Sequence, residues 1–449
     1  MNAEQAAQYW NRLREGVNLS YNQSSVTVMG VAVLLILGAF MFGLPRRYSV
    51  IPMVILACFT PMGERIVVAG LDFTFLRIMV VIGWARIVLR REASHFVWKP
   101  IDTFVTLWAI SAALIYIIFN KGAPNAVIFK LGATFDILGI YFLFRVLIKS
   151  FDDTYRIVNA FVILSVPVAF IFLIEHQTGR NLFSFMGGVP EITQIRNGRL
   201  RCQGAFVHPI AAGCFWASLI PLIASLWWYG GTRAMKNRLM AVTGIVASLL
   251  IVYFCSSSTP VGAVVAGVFA ACFFPARHFM KHIVVCTCIV LTGLHFAMNG
   301  PVWQLIARVD FVGGSTAYHR YQLIDQAINR IDEWWLLGCA TTAHWGHFLF
   351  DVANTYIYQA VKGGLLTFVL FIVVIMTGYM SVGMLWRTME HDRRRLMLCW
   401  GLGVSLFIHC TSFIALTYTH QTLMIWLMAL AIIGSLSPIR RRAVFKAWT

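Results

Sequence analysis

The chain has 449 residues, of which 59% are hydrophobic and only 12% are charged. This composition excludes an ordinary soluble domain, because most of the apolar runs lack the polar face that a surface helix shows. The formal charge of +18 would favour nucleic acid as a partner in a soluble protein. Most of the excess lies in short loops between apolar runs, where it indicates membrane orientation, so no nucleic-acid partner is expected.

Apolar runs recur along the chain and match the roughly 17–25 residues that a helix needs to cross a bilayer. The predicted membrane segments are 26–43, 49–61, 66–89, 101–119, 127–149, 157–175, 204–229, 238–254, 259–275, 282–298, 353–384, 396–416 and 420–437. The second segment is short for a span. The sequence thus predicts an all-α, polytopic transmembrane helical bundle of about 12–13 spans, forming a single integral membrane domain over residues 1–449.

Basic residues between these segments set the expected orientation. The main clusters are Arg90-Arg91 with Lys99, Lys149 with Arg156, Arg233 with Lys236 and Arg238, Arg277 with Lys281, Arg387 with Arg393-Arg394-Arg395, and Arg440-Arg441-Arg442. Most of them fit a cytoplasmic side, which puts the C-terminus inside, whereas the side of the N-terminus stays open. We expect no cleavable signal peptide, because a polar stretch of about 25 residues precedes the first apolar run.

Two longer loops, 177–203 and 300–352, are then predicted to lie outside. The first carries Arg196, Arg199 and Arg201 directly ahead of an apolar run. Positive charge is normally depleted on the outer side, so these arginines indicate an anionic ligand, whose phosphate oxygens guanidinium groups bind well. The alternative, which carries equal weight, is that the arginines reach lipid head groups or pair with Glu191.

The second outer loop is long enough to hold a structure of its own. Residues 313–316 are typical of a turn with an N-cap, and a helix is predicted over 317–331. Its apolar face, at three- and four-residue steps, consists of Tyr321, Ile324, Ile328 and Ile331. We expect this amphipathic helix to lie on the membrane surface, with His319 and Arg320 near its N-terminal end.

Histidine and carboxylate side chains, the usual general bases, crowd the same loop. The candidates are His319, His344, His347 and Asp351, although surface loops of any protein contain such residues. The run that contains His344 and His347 is not a recognised ligand pattern, and the chain has no C-x-x-C pair. We therefore expect no metal and no other cofactor.

Helix starts and charged residues within apolar runs complete the candidates. His208 precedes Pro209, a residue typical of a first helical turn, and is either scaffold or a residue that positions a ligand. The Ser/Thr-rich stretch 256–260 either caps the next helix or lines a polar cavity, and capping is the simpler interpretation. Charged residues in apolar runs, such as Asp72 and Arg77, are expected mainly to brace helices through ion pairs.

Several short motifs follow one another in a characteristic order. The stretch RCQGAFVHP (201–209) has the form R-x-x-G-x-F-x-x-P, and Ser315 and Arg320 follow in the large loop. WLLG (335–338) comes next, and NTY (354–356) then leads into VKGGLL (361–366) at the start of a span. In order, spacing and topology this region resembles the O-antigen ligase and Wzy-type polysaccharide polymerase superfamily of bacterial inner-membrane glycosyltransferases.

The resemblance implies a GT-C-like helical membrane fold with a periplasmic active-site face formed by loops 177–203 and 300–352. It implies an undecaprenyl-diphosphate-linked glycan as donor and no metal. Arg201 and Arg320 match the diphosphate-binding arginines of the family, and Arg199 and Arg196 would support them. The expected acceptor- or glycan-positioning residues are His208, Asn354 and Tyr356.

Two departures from the family concern the acceptor. Where the family has a histidine directly before the asparagine of its last motif, this chain has Ala353. The base would then come from one of the four candidates in the large loop. The family also often has an arginine after the serine at the start of the span that follows the first outer loop, where this chain has Thr259-Pro260.

The expected function is that of a metal-independent, inverting glycosyltransferase of the polysaccharide polymerase or O-antigen ligase type. It would transfer or polymerise the lipid-linked glycan onto an acceptor hydroxyl in exopolysaccharide or O-antigen assembly, as a multi-pass protein of the bacterial inner membrane. Its partners would be the donor, a glycan or lipid-glycan acceptor, membrane lipids and polysaccharide assembly proteins. A polysaccharide-lipid transporter or flippase, which needs a polar pathway at the midplane, and a non-catalytic scaffold of an envelope complex remain alternatives.

Overall fold

The computed structural model describes residues 24, 26–68, 71–94, 96–229, 234–309, 311–312 and 317–438. The helices are α1 (Val28–Gly43), α2 (Ile51–Phe59), α3 (Phe75–Leu89), α4 (Pro100–Phe119), α5 (Pro124–Leu147), α6 (Phe151–Thr178), α7 (Pro209–Ser225), α8 (Ala234–Phe254), α9 (Ser258–Cys272), α10 (Met280–Ala297), α11 (Ala317–Asn329), α12 (Ile331–Trp334), α13 (Thr355–Thr388), α14 (Arg393–Ser412) and α15 (His420–Leu436). Two short antiparallel hairpins pair β1 (Arg65–Val68) with β2 (Leu71–Thr74) and β3 (Gln194–Arg196) with β4 (Arg199–Arg201).

The long helices confirm an all-α, polytopic membrane protein. Among the described residues, eight helices are long and apolar enough to cross a bilayer: α4, α5, α6, α7, α8, α10, α13 and α14, where α7 continues to Trp228 and α10 is counted from Arg277. Three shorter apolar helices, α1, α9 and α15, accompany them. Most boundaries lie within a few residues of the predicted segments, because uninterrupted apolar length is a strong signal for a span.

The predicted count of 12–13 spans is too high for the described residues, and the error lies near the N-terminus. Segment 49–61 contains only α2, which rises about 13.5 Å where the hydrocarbon core measures about 30 Å. Segment 66–89 begins with the β1–β2 hairpin, and only α3 is helical. An apolar run of β-branched residues is compatible with a strand and with a helix. Helix α3 begins only after Thr74, whose hydroxyl group accepts a hydrogen bond from the Arg77 N–H at 3.4 Å.

The loops gather at two ends of the bundle. At the end we call the basic end, Arg46 bonds Asp153 at 2.9 Å and Arg394 bonds Asp152 at 3.1 Å. Helix α15 also ends at the basic end, where the ammonium group of Lys99 donates to the Gly434 carbonyl at 2.6 Å. The last predicted basic cluster, 440–442, lies outside the described residues.

The opposite end, which we call the hairpin end, collects the two predicted outer loops. Gln421 Nε2 donates to the Ala205 carbonyl at 3.2 Å, and Thr355 Oγ1 donates to the Leu416 carbonyl at 2.7 Å. The stretch that follows the first outer loop therefore contacts the first turn of α15, and the start of α13 contacts the segment between α14 and α15.

Charged side chains near the β1–β2 hairpin form ion pairs, as expected, but with different partners. Arg77 donates to both carboxylate oxygens of Asp136 on α5 at 2.7 Å. Asp72 pairs instead with Arg65 across the hairpin at 3.1 Å. Asp72 and Arg77 therefore both form ion pairs, each with its own partner, and α5 supplies the carboxylate that binds the Arg77 guanidinium group.

Helix α13 is interrupted at Gly364, whose backbone (φ 65°, ψ −177°) is nearly restricted to glycine. The large loop packs into this break, and the Leu365 N–H donates to the Trp335 carbonyl at 2.8 Å. A Cβ atom at Gly364 would lie 2.4 Å from the Leu336 carbonyl oxygen. The WLLG and VKGGLL segments thus meet through their backbones.

This contact generates a stability prediction. Gly364→Ala should lower the free energy of unfolding by about 1–3 kcal/mol, because the added methyl group meets a carbonyl in a strained conformation. Gly383 in the same helix has open space around its Cα, so Gly383→Ala should be neutral or stabilising by about 1 kcal/mol. Thermal unfolding of both variants in detergent measures the difference, and equal melting temperatures would contradict the prediction.

Candidate active site

The β3–β4 hairpin places the arginines of the first loop on one face. Its two-residue Asn-Gly turn (197–198) has φ of 50° and 73°, as a type I′ turn requires. The register opposes Gln194 to Arg201 and Arg196 to Arg199, and directly opposed residues share a face. All three arginines therefore share the face of Gln194. The Asn-Gly pair is a strong sequence signal for this hairpin that the predicted segments did not use.

A buried carboxylate fixes the base of this hairpin. Glu175, near the end of α6, accepts hydrogen bonds from the backbone N–H groups of Gln203 at 3.1 Å and Gly204 at 3.0 Å. It also accepts one from Thr193 Oγ1 at 3.1 Å. Gly204 has a φ of 56°, and a Cβ atom there would lie 2.4 Å from the Phe172 ring. The glycine of the R-x-x-G motif is therefore required by close backbone packing.

Two arginines from different loops reach the same turn at the start of α9. Arg201 Nη2 donates to Ser257 Oγ at 3.4 Å, and Arg320 Nη2 donates to Thr259 Oγ1 at 2.8 Å. Ser257 is the N-cap residue of α9, but its side chain makes no capping bond. The expected capping role is therefore wrong for Ser257, whose hydroxyl contacts an arginine. We call Arg196, Arg201 and Arg320, with these two hydroxyl groups, the arginine site.

Arg201 and Arg320 are buried without a carboxylate partner. Among the described residues five arginines are buried, and the other three each pair with a carboxylate at 2.7–3.1 Å: Arg65 with Asp72, Arg86 with Glu92 and Arg145 with Asp102. Arg201 instead bonds only the neutral side chains of Gln194 and Ser257, and its Nε is buried without a hydrogen bond. The arginine site is thus chemically distinct from the arginines that brace the fold.

Electrostatics show that this environment disfavours positive charge. Burial and the nearby Arg196 lower the pKa of Arg201 to about 10, and burial also lowers the pKa of Arg320. His208 accepts the Ile210 N–H at Nδ1, at 3.1 Å, and burial together with Arg201 and Arg196 lowers the pKa of His208 to about 3. His208 is therefore a neutral helix cap that carries its proton on Nε2. Among the described residues no carboxylate pairs with Arg201 or Arg320, so an anion bound beside them would offset this cost.

The remaining arginine of the hairpin joins the two loops. Arg199 is exposed, and its Nη1 donates to the Val312 carbonyl of the large loop at 3.1 Å. The predicted turn at 313–316 lies outside the described residues. Helix α11 begins at Ala317, as predicted, and buries the face that carries Arg320, while Ile328 on the predicted apolar face is exposed. Its predicted position on the membrane surface stays a prediction.

Three of the four candidate bases lie towards the Arg320 end of α11. The ring of His319 bonds the Phe348 carbonyl through Nε2 at 3.0 Å. His347 precedes Phe348, and the Asp351 N–H donates to the same Phe348 carbonyl at 3.3 Å. The side chains of His347 and Asp351 are exposed. The geometry brings this group near Arg320 without singling out one base.

His344, the fourth candidate, lies elsewhere. Its Nε2 contacts Glu333 at 2.7 Å, and Trp345 Nε1 donates to the same carboxylate at 2.8 Å. The bonds from Trp345 and His344, together with Arg330, lower the pKa of Glu333 to about 2. Helix α11 has 13 residues and is about 20 Å long. Arg320 lies near its N-terminal end, and Glu333 lies beyond its C-terminal end. The geometry thus separates His344 from the arginine site.

Asn354 and Tyr356 tie α13 to the segment that follows α14. Asn354 is the N-cap of α13: its Oδ1 accepts the Ile357 N–H at 3.1 Å, and its Nδ2 donates to the Ile414 carbonyl at 3.1 Å. Tyr356 Oη donates to the Cys410 carbonyl at 3.0 Å. These bonds give both residues a scaffold role, and their role in positioning a glycan stays a prediction.

No group of three His, Cys, Asp or Glu side chains that could hold a metal ion occurs in the described part of the chain. No family model matches the chain, and no curated protein matches it either. The similarity to the O-antigen ligase and polymerase superfamily therefore rests on the short motifs, and the activity stays a prediction.

The unpaired buried charge generates a second stability prediction. Arg201→Met removes a buried charge that has no counterion, so the free energy of unfolding should stay unchanged or rise by about 1–4 kcal/mol. The matched substitution Arg145→Met leaves buried Asp102 without its partner and should cost about 3–5 kcal/mol. Thermal unfolding in detergent measures both. A loss for Arg201→Met as large as for Arg145→Met would show that Arg201 braces the fold.

Proposed function

We propose that the protein is a glycosyltransferase that transfers or polymerises an undecaprenyl-diphosphate-linked glycan onto an acceptor hydroxyl at the periplasmic face, in surface polysaccharide assembly. One observation carries the proposal. The two buried arginines without a carboxylate partner, Arg201 and Arg320, are the two that match the diphosphate-binding positions of the family. A lipid diphosphate would supply the counter-charge that Arg201 and Arg320 do not find among the described residues.

In the proposed reaction Arg201 and Arg320 both carry their positive charge. A general base takes the proton of the acceptor hydroxyl as its oxygen attacks the anomeric carbon with inversion, and the bond from that carbon to the phosphate oxygen breaks. The electron pair of the broken bond stays on the lipid diphosphate, so negative charge grows where Arg201 and Arg320 lie. Fixed guanidinium donors then stabilise the transition state more than the ground state, without a metal ion. The Nε2–H of His208 adds a neutral donor.

The test is transfer by purified protein in nanodiscs with a lipid-linked oligosaccharide. We expect Arg201→Ala and Arg320→Ala each to lower the rate by about 10²–10³-fold, the usual cost of one donor to a developing anion. Lysine at either position keeps the charge but loses the bidentate fork, so its rate should be intermediate. The control is Arg180→Ala, because exposed Arg180 at the same end pairs with Glu191 at 3.6 Å.

Wild-type turnover by both alanine variants would refute the proposed mechanism. Movement of lipid-linked glycan across proteoliposomes, without formation of a glycosidic bond, would favour the transporter alternative instead. Normal polysaccharide assembly by a folded Arg201→Ala protein would favour the scaffold.

A further inference from the structure

The segment 417–421, which joins the connection after α14 to the first turn of α15, runs between the stretch that follows the first loop of the arginine site and the end of the second loop. On one side, Gln421 Nε2 donates to the carbonyl of Ala205, in the stretch that follows Arg201, at 3.2 Å. On the other side, Thr417 Oγ1 donates to the Val352 carbonyl at 2.5 Å. Tyr418 and His420 both lie between these two contacts, and His420 is the one that carries an imidazole ring.

A third relation places this segment near Arg320. Cys214 on α7 lies within electrostatic reach of the Arg320 guanidinium group and of Tyr418. Tyr418 is two residues before His420. The segment therefore approaches both arginines that we assign to the diphosphate.

Three features of His420 are typical of a functional residue and not of a structural one. Its φ of 46° is unusual for a residue other than glycine, and such strain concentrates at functional sites. Its side chain is exposed, whereas Tyr418, Gln421 and Thr422 around it are buried. Within the described part of the chain the ring makes no hydrogen bond.

Charged groups from three other elements lie within electrostatic reach of the ring. Asp136 on α5, Arg77 on α3, and Asp72 and Arg65 of the β1–β2 hairpin all act electrostatically on His420. Asp72 Oδ1 and Arg65 Nε are buried and have no hydrogen-bond partner among the described residues. The four side chains still expose 10–23% of their surface, so sugar hydroxyl groups, which both donate and accept, can bond their accessible atoms.

We propose that His420 is the general base that takes the proton from the acceptor hydroxyl, and that the charged cluster beside it orients the acceptor glycan. The inference rests on the proposed function. As the acceptor oxygen bonds the anomeric carbon, its proton passes to an imidazole nitrogen of His420. The electron pair of the broken bond leaves with the diphosphate on Arg201 and Arg320. A base here compensates for Ala353, which lies beside the Val352 carbonyl that Thr417 bonds.

The test separates transfer from donor binding in the protein embedded in nanodiscs. His420→Ala and His420→Asn should lower the transfer rate by about 10²–10⁴-fold, the usual contribution of a general base. Binding of undecaprenyl diphosphate should be unchanged in both. Asparagine adopts positive φ more readily than most residues, so that variant preserves the start of α15. Added imidazole should restore transfer by His420→Ala, and the acidic limb of the pH–rate profile should disappear in both variants.

The control is His278→Asn, a half-exposed histidine at the basic end that contacts Glu390 at 3.3 Å, which should behave as wild type. Near wild-type transfer by both His420 variants, with Arg201→Ala inactive, would overturn this inference and leave the proposed function standing. Activity of all three variants would refute the proposed function itself. Joint loss of transfer and diphosphate binding, without rescue by imidazole, would show a structural role for His420 and also overturn the inference.

Discussion

Arg201 and Arg320 hold two guanidinium groups in the protein interior with no carboxylate partner among the described residues, and the rest of the hairpin end must stabilise these charges. Removing such a charge from water costs several kcal/mol. The surrounding structure supports it through rigidity: Glu175 fixes the backbone that follows Arg201, and the hydroxyl groups at the start of α9 accept from both arginines. The buried charges of the arginine site lower the stability of the fold, and the packing of the helices behind the site offsets this cost.

The same residue type thus has two uses in one molecule. Arg86 and Arg145 are matched by a carboxylate and join parts of the bundle, whereas Arg201 and Arg320 are left electrostatically incomplete. A protein selected for stability alone would not keep the second kind, because an apolar side chain of similar volume would serve the fold at least as well. This difference between the two kinds of arginine supports the proposed anionic ligand.

Much of this arrangement could be predicted from local sequence. The long helices from α4 onwards follow from the length of their apolar runs, α11 follows from its amphipathic periodicity, and the motifs single out Arg201 and Arg320 as candidates. The β1–β2 hairpin could not, since its apolar run fits strand and helix alike. The environment of Arg201 depends on its contact with Ser257, which lies 56 positions away in the chain. The electrostatic environment of His420 depends on charged residues of α3 and α5. Local patterns carry no information about such distant contacts.

The break in α13 also bears on how this architecture can vary. The large loop is attached to the helix through main-chain atoms, with the Leu365 N–H on the Trp335 carbonyl and a glycine where the Leu336 carbonyl passes. The attachment therefore does not depend on which side chains residues 336 and 337 carry. New side chains in the loop, and with them a different complementary surface, can arise by substitution while the loop stays anchored over α9.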